Sequence, residues 1–152
     1  MSRPPSKILA VSSGGGHWIQ LARILPGLEG HRLFVATVDA RRRAEIRCER
    51  FFTVGDASRW NKLGLLVTAL QILWILIRVR PRVVLSTGAA PGFLALFLGK
   101  CLGARTAWID SLANAERLSL SGEKAGRFAD LWLTQWPHLA RPEGPFYRGR
   151  VL

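Results

Sequence analysis

Cysteine is scarce in this sequence. Only two of its 152 residues are cysteines, Cys48 and Cys101, and they lie far apart. Neither belongs to a Cys-x-x-Cys pair, and no spacing typical of metal ligands is present. This usage predicts free thiols in a cytoplasmic protein rather than a disulfide framework or a metal site. A secretory signal peptide is not apparent either, because the first residues lead directly into a short apolar strand.

Acidic residues are also few: 10 stand against 22 basic ones, which gives a formal net charge of +12. A compositional bias toward arginine is one explanation. The functional alternatives are an anionic membrane surface, a phosphate-bearing substrate or nucleic acid. Nucleic acid is disfavoured because aromatic and basic residues do not interleave as in RNA-binding sheets, and no helix-turn-helix pattern appears. Internal repeats and low-complexity tracts are missing, and 49% hydrophobic residues predict one globular domain over 1–152.

Short apolar strands alternate with helical patterns along the chain. Six strands are predicted, in the segments KILAVSS, HRLFVATVD, RFFTVGD, RVVLSTG, ARTAWID and DLWLTQW. The charged connection after the second strand is either helical or irregular, and the tail over about 138–152 is expected to be irregular. Continuous apolar strands joined by helices predict an α/β fold, a single Rossmann-like domain with a parallel sheet. Ligands of such sheets bind beyond the carboxyl ends of the strands.

The stretch SSGGGH joins the first strand to the first helix. Glycines let the backbone approach a ligand closely, and a helix N-terminus offers free N–H groups to an anion. We therefore predict that Ser13, Gly14, Gly15 and Gly16 bind a phosphate or pyrophosphate. His17 is either a structural histidine or a group that accepts a proton or donates to a phosphate oxygen. A reductase is disfavoured, because the third glycine of the dinucleotide fingerprint is missing near Ile19.

The segment Leu63–Val79 is nearly all apolar, and basic residues flank it: Arg59 and Lys62 before it, Arg78, Arg80 and Arg82 after it. A membrane span is disfavoured, because a helix of this length reaches about 25 Å and the hydrocarbon core is roughly 30 Å thick. The strands on both sides also belong to one predicted sheet. The helix, over about 62–79, is either a core helix or one whose apolar face lies in the membrane interface.

We favour the membrane interface, because the only polar stripe of this helix is the weak one formed by Gly64, Thr68 and Gln71. The residues expected at the membrane are Trp60, Leu66, Leu70, Trp74, Ile77 and Arg78.

Two longer motifs carry a family resemblance over nearly the whole chain. The turn SSGGGH resembles the glycine-rich turn in the acceptor half of GT-B glycosyltransferases. The segments WIDSLANAERLSLSG and ADLWLTQWPHL resemble the asparagine-linked glycosylation protein fourteen family and its bacterial relatives, the PssD-type proteins of exopolysaccharide and capsule synthesis.

The resemblance implies the membrane-associated, acceptor-binding subunit of an inverting GT-B glycosyltransferase that is inactive alone. A partner of the PssE or asparagine-linked glycosylation thirteen type would bind the nucleotide-sugar donor, expected to be UDP-linked. The sugar would be transferred to a polyprenyl-pyrophosphate-linked saccharide at the cytoplasmic face of the plasma membrane. No cofactor or metal is expected, in keeping with the lack of a clustered Asp-x-Asp. Eukaryotic members begin with a membrane helix, so anchoring of this chain would fall to its internal helix.

Site residues follow from the same resemblance. Asp110 and Ser111 occupy the positions of the acid and serine that the family has after the fifth strand, where the acid is often Glu. Asn114 stands where the family often has arginine. Transfer needs a base for the acceptor hydroxyl, and we prefer Asp110 over His17; the alternative for Asp110 is a helix-capping acid. With the glycine turn, Gly88, Ser111 and Asn114 are the residues expected to bind the acceptor or its pyrophosphate.

The motif QWP supplies two further candidates. Gln135 and Trp136 are expected either to contact the partner or acceptor, or to serve packing and a turn before Pro137. The tail over about 138–152 is expected to dock the partner chain. The competing function is a nucleotide- or nucleic-acid-binding Rossmann module without transferase activity.

Overall fold

The computed structural model describes residues 4–58 and 60–151. Arg59, one of the predicted flanking cations, lies outside the described residues. Seven parallel strands form one sheet in the order β3-β2-β1-β4-β5-β6-β7. The strands are β1 (Lys7–Ser12), β2 (Arg32–Thr37), β3 (Arg50–Thr53), β4 (Val83–Gly88), β5 (Arg105–Ile109), β6 (Leu131–Thr134) and β7 (Phe146–Tyr147). The predicted Rossmann-like parallel sheet is confirmed.

Four α-helices connect the strands: α1 (Gly16–Ile24), α2 (Lys62–Val79), α3 (Ala89–Cys101) and α4 (Leu120–Ala125). Short 3₁₀ helices follow at Leu25–Leu28, Ala40–Glu45 and Pro137–Leu139. Thus the charged connection after β2 contains a 3₁₀ helix. Asp39 begins it by accepting a hydrogen bond from the Arg41 backbone N–H.

The helices divide between the two faces of the sheet. On one face, buried residues of α2, α3 and α4 pack against Leu9, Val84 and Trp108. On the other face, α1 packs Trp18 and Leu21 against the central strands. This division follows from right-handed crossovers: connections running toward β3 and those running toward β7 leave the sheet on opposite sides. The second face of the sheet is the one on which α1 packs. Where this face extends over β5, β6 and β7, it carries no helix of the described chain.

The tail differs from the prediction. Phe146 and Tyr147 pair in parallel with Leu133 and Thr134, which adds β7 to the sheet edge. Two residues are too few to produce a periodic pattern, and the adjacent Gly144 and Pro145 are typical of a turn. The tail is therefore partly ordered as sheet rather than wholly irregular.

Helix α2 begins at Asn61, whose side chain accepts a hydrogen bond from Gly64 N. It connects β3 and β4, which lie in the same sheet and run parallel. The chain must therefore return to the amino end of the sheet within the domain. Although α2 is long and apolar enough to cross a membrane by composition, this connection keeps it packed along the sheet.

Candidate functional site

The site is built where strand order reverses, between the neighbouring strands β1 and β4. Helix α1 starts after β1 and α3 starts after β4, so their N-termini open at the same edge of the sheet. Gly15 precedes α1 with φ 61°, Gly88 precedes α3 with φ 140°, and no described side chain caps either helix. The uncapped N–H groups and the two helix dipoles make this edge attractive to an anion.

The glycine turn itself is half open to solvent. Gly15 and Gly16 are exposed, whereas Ser13 and Gly14 are partly buried. The Thr37 hydroxyl donates to the Ser13 carbonyl at 3.4 Å, which ties the turn to the end of β2. The four consecutive residues of this turn that are predicted to bind phosphate thus lie at the switch point.

His17 joins the two halves of this edge. Its Nδ1 lies 3.0 Å from the Thr87 carbonyl oxygen, and the Thr87 hydroxyl donates to the His17 carbonyl at 2.8 Å. A carbonyl only accepts, so Nδ1 carries the proton in this contact, and a neutral ring keeps a lone pair on Nε2. The ring also lies against Gly88, because a Cβ at that position would sit 2.6 Å from His17 Cε1 and closer still to Nδ1.

Asp110 lies at the end of β5 and is only 2% exposed. Its Oδ1 accepts from Trp108 Nε1 (3.1 Å) and the Ser119 hydroxyl (2.6 Å). Its Oδ2 accepts from Asn114 Nδ2 (3.1 Å) and Ser119 N (3.0 Å). A carboxylate has about four lone-pair sites, so these four donors fill it. Gly122 packs directly on this carboxylate: a Cβ there would lie 3.0 Å from Asp110 Cγ.

These contacts account for the motif LSLSG. Ser119 is the N-cap of α4, accepting from Gly122 N at 2.9 Å while it donates to Asp110. Asp110 thus fixes the start of α4, through the capping serine, beside the end of β5. The residue that caps α4 is Ser119, and Asp110 accepts hydrogen bonds from that serine from outside the helix. The side-chain amide of Asn114, a residue predicted to bind phosphate, also donates a hydrogen bond to Asp110.

A buried amide network lies behind the loop that follows Asp110. Gln20 donates to the Ser111 hydroxyl at 3.0 Å, and Gln20 Oε1 accepts from Leu112 N and Gln135 Nε2. Gln135 also donates to the Asp110 carbonyl and accepts from Val151 N. Because Gln135 is 1% exposed and Ser111 is 6% exposed, neither presents a surface to a ligand or partner in this structure. Their contact roles stay predictions, and in this structure both side chains are held within the network.

Trp136 lies at the edge of the same network. Its Nε1 donates to the Leu112 carbonyl at 2.8 Å, and the Arg150 guanidinium stacks 4.5 Å from its ring centroid. Arg23 of α1 donates to the Val151 carbonyl at 3.3 Å. The tail is therefore attached to α1 and to the loop after β5, close to the site.

The surface beside the site is apolar and lacks acids. On α2, one face exposes six apolar side chains, at the spacing of one helical stripe: Leu63, Leu66, Val67, Leu70, Trp74 and Ile77. Trp60 just before the helix and Arg78 in its last turn are exposed as well. All the residues predicted to meet the membrane thus lie on the surface.

Two residues of the weak polar stripe of α2, the buried Thr68 and the exposed Gln71, are hydrogen-bonded to the loop after β3. The Thr68 hydroxyl donates to the Gly55 carbonyl at 3.1 Å, and Gln71 Oε1 accepts from Gly55 N at 2.8 Å. These bonds hold the loop after β3, so the apolar side faces solvent. From Ala57 to Ile109 the sequence has no acidic residue and seven basic ones. Arg78, Arg80 and Arg82 make no ion pair with any described residue.

Three contributors to the site were not identified from sequence. Thr87 orients His17, Gln20 organises the loop after β5, and Ser119 binds Asp110. Ser119 had a detectable signal, since a serine directly before a short helix is a common N-cap. Gln20 had a weaker one, as a polar residue within an otherwise apolar helical stripe. Among residues 4–58 and 60–151, no group of His, Cys, Asp and Glu could hold a metal ion.

A dinucleotide site of the NAD type receives no support from Asp39. Its carboxylate forms ion pairs with Arg41 and Arg42. The Arg41 hydrogen bonds lower the pKa of Asp39, so it stays ionised and committed to its own loop. The acid that would bind a ribose hydroxyl is already occupied.

The strand order, with a glycine turn at the switch point, is a Rossmann-like fold that matches the N-terminal half of a GT-B fold. Among solved structures, MurG of Acinetobacter baumannii superposes with a TM-score of 0.75 at 11% identity, over 94% of this chain and 45% of that one. The sequence model for "Oligosaccharide biosynthesis protein Alg14 like" matches residues 9–150. The chain therefore belongs to the Alg14-like family.

Two curated relatives agree with this assignment. The UDP-N-acetylglucosamine transferase subunit alg14 of Schizosaccharomyces pombe is 32% identical over 105 residues, which cover 64% of this chain and 47% of that protein. The subunit ALG14 of Eremothecium gossypii is 39% identical over 67 residues, covering 40% of this chain and 30% of that protein. The matched segments thus span less than half the length of either relative.

Proposed function

We propose that this chain is the acceptor-binding subunit of a two-chain, inverting GT-B glycosyltransferase. It would bind a polyprenyl-pyrophosphate-linked saccharide at the cytoplasmic face of the plasma membrane, in exopolysaccharide or capsule synthesis. A donor-binding partner, of the PssE or Alg13 type, would hold the nucleotide sugar. A UDP sugar is the proposed donor, because both curated relatives are named UDP-N-acetylglucosamine transferase subunits. The chain alone would be inactive.

One observation carries this proposal: an anion-attracting edge adjoins an exposed, acid-free apolar surface. The first feature suits the pyrophosphate of the acceptor, since two uncapped helix N-termini and His17 meet there. The second suits the bilayer that holds the lipid part, with arginines toward anionic headgroups. A soluble nucleotide ligand would explain the first feature and leave the second without purpose.

We assign the base to His17 and a positioning role to Asp110, which reverses the preference from sequence. His17 is partly exposed, and its Nδ1 contact with Thr87 leaves Nε2 to accept a proton. The buried Asp110 carboxylate already accepts four hydrogen bonds. To act as a base it would have to release one of them and become accessible.

The partner would dock on the second face of the sheet and on the tail. Leu131 is 44% exposed, and strand alternation places Leu133 beside it, opposite Trp132 of the covered face. Ile109 of β5 is partly buried on this same side. This apolar surface adjoins the attached tail, so one partner could engage both. The buried Gln135 would then transmit the position of the tail to the loop after Asp110.

Transfer tests the base assignment. The complex with a donor-binding partner should move labelled N-acetylglucosamine from its UDP ester to a polyprenyl-pyrophosphate-linked saccharide. His17→Ala should lower kcat by about 10² to 10⁴-fold, with partial rescue by added imidazole. His31→Ala is the matched control: this exposed ring contacts Ser6 N at the opposite edge of the sheet and should leave kcat unchanged. Full activity of His17→Ala would remove His17 as the base.

Membrane association is tested separately by flotation with anionic vesicles. Leu70→Asp on the exposed stripe of α2 should reduce flotation, whereas Leu131→Asp, on the opposite side of the sheet, should not. A protein that stays soluble without detergent and is retained on nucleic acid would contradict the proposal and favour the binding-module alternative.

A further inference from the structure

A groove begins directly beside the anion-attracting edge. It has a volume of about 200 Å³ and lies between the first turns of three helices. Its walls are Leu65 of α2, Ala90, Phe93 and Leu94 of α3, and Leu120, Ser121 and Lys124 of α4. Ala90 follows Gly88 by two residues, so the groove starts where the proposed pyrophosphate site ends.

The groove continues onto the apolar surface. A second depression, of about 320 Å³, is lined by Lys62, Leu65, Leu66, Ala69 and Leu94. The two depressions share Leu65 and Leu94, so together they form one path. This path leads from Ala90 to Leu66, which belongs to the exposed stripe of α2.

Charge is arranged to suit a ligand with one anionic end. The walls are mostly apolar, and among the described residues the charged side chains that line the path are the exposed Lys124 and Lys62. Neither lysine forms an ion pair with a described residue. A hydrocarbon chain attached to a pyrophosphate would meet mostly apolar walls along its length, with Lys124 in the inner groove on the side of the phosphates and Lys62 at the outer depression.

We propose that this path binds the first isoprene units of the acceptor lipid, between its pyrophosphate and the bilayer. The inference rests on the proposed function and adds a lipid subsite to it. The subunit then recognises an isoprenoid pyrophosphate as one unit, rather than a pyrophosphate on any carrier. Asp110 contributes indirectly, because its bonds to Ser119 hold the first turn of α4, which forms one wall.

Binding of soluble probes to the full chain, without vesicles, tests the inference. Farnesyl pyrophosphate, below its micellar concentration, should bind roughly tenfold to a hundredfold more tightly than inorganic pyrophosphate, because several apolar groups leave water. Leu120→Asn makes one wall polar, and Ser121→Trp fills the groove. Both variants should abolish this preference and leave the affinity for inorganic pyrophosphate unchanged. Leu102→Asn, at an exposed leucine that follows the C-terminal end of α3, is the matched control and should keep the preference.

The possible results separate the subsite from the function on which it rests. Equal affinities for the two probes, or a preference that survives both groove variants, would overturn the lipid subsite while pyrophosphate binding upheld the anion site. Displacement of farnesyl pyrophosphate by short-chain phosphatidylglycerol at equal concentration would also overturn it, since the groove would then take any lipid. Failure of both probes to bind would contradict the proposed function itself.

Discussion

Replacing Gly88 by alanine should disturb His17 through direct contact. Gly88 has φ 140° and ψ −176°, a conformation essentially confined to glycine. An added Cβ would also sit 2.6 Å from His17 Cε1 and closer to Nδ1. The imidazole must therefore swing away, which breaks its 3.0 Å contact with the Thr87 carbonyl.

Two contributions set the size of the effect. The backbone strain of a non-glycine residue in this region costs about 1–3 kcal/mol. Loss of the contact between His17 and Thr87 adds about 1 kcal/mol, the usual net value of a hydrogen bond. Gly88→Ala should therefore lower the free energy of unfolding by roughly 2–4 kcal/mol. Activity of the complex should fall as well, because the proposed base leaves its position.

A double-mutant cycle separates the two contributions. In a His17→Ala background no imidazole remains, so Gly88→Ala should cost only the backbone strain, about 1 kcal/mol less than in the wild type. Gly103→Ala is the matched control: it has φ 87° but nothing within 4 Å of the added Cβ. Its cost should be the same with and without His17.

Urea unfolding of the single and double variants measures the cycle. An identical cost of Gly88→Ala in both backgrounds would refute the reasoning, because His17 would then not rest against Gly88. The reasoning would also be refuted if the coupling energy between Gly88→Ala and His17→Ala were no larger than that between Gly103→Ala and His17→Ala.

Three further predictions concern residues outside the anion site. Hydrogen bonding by Lys100 holds the pKa of Asp130 below its ordinary value. This carboxylate therefore stabilises the fold above the unfolded-state pKa, and the benefit disappears as pH falls through the folded-state pKa. Asp130→Asn should make the free energy of unfolding depend less on pH on the acid side, and an unchanged profile would contradict the ion pair. Gln135→Ala removes three hydrogen bonds, two of them fully buried, and should cost about 1–3 kcal/mol in urea unfolding. A neutral effect would show that the amide is not buried in solution. Burial raises the pKa of the Cys48 thiol, whereas Cys101 is exposed, so a thiol reagent should label Cys101 first, and the reverse order would be inconsistent with this fold.

Hydrophobic patterning was sufficient to predict most of the fold. Apolar runs bounded by glycine and proline identified β1 to β6, and the glycine turn identified the start of α1. The two-residue strand β7 depends on pairing with β6 and has no pattern of its own. Its formation is a consequence of tertiary contact, which local sequence does not record.

The sequence indicated which strand ends carry the candidate residues, but not which of their hydrogen bonds the fold already satisfies. Glycines with positive φ and the strand-end position of His17 are local features, and they were recognised. The role of Asp110 depends on donors from Trp108, Asn114 and Ser119, which only the folded chain brings together. Likewise, burial of Gln135 depends on Gln20, a residue 115 positions away. An acid or an amide in sequence does not reveal whether its hydrogen bonds are already satisfied.

Helix α2 shows why an apolar pattern alone could not distinguish core from membrane. Thr68 is 1% exposed and its hydroxyl bonds to the loop after β3, so this polar side chain, which would normally face water, serves the interior. The exposed face is left apolar, and no acid lies within its own sequence or that of α3. Such an arrangement would favour aggregation in a freely soluble domain. It is consistent with a helix that lies against a bilayer.

The three sequence motifs divide the proposed work between them. GGGH forms the anion edge and presents His17, while QWP attaches the tail to the loop after Asp110. LSLSG has no exposed reactive group. Its Ser119 and Gly122 pack on Asp110 and fix the start of α4. Since that first turn is also a wall of the groove, a change at Ser119 would alter the lipid path before it altered the chemistry. LSLSG would then serve recognition of the isoprenoid, and the glycine turn would serve the phosphate.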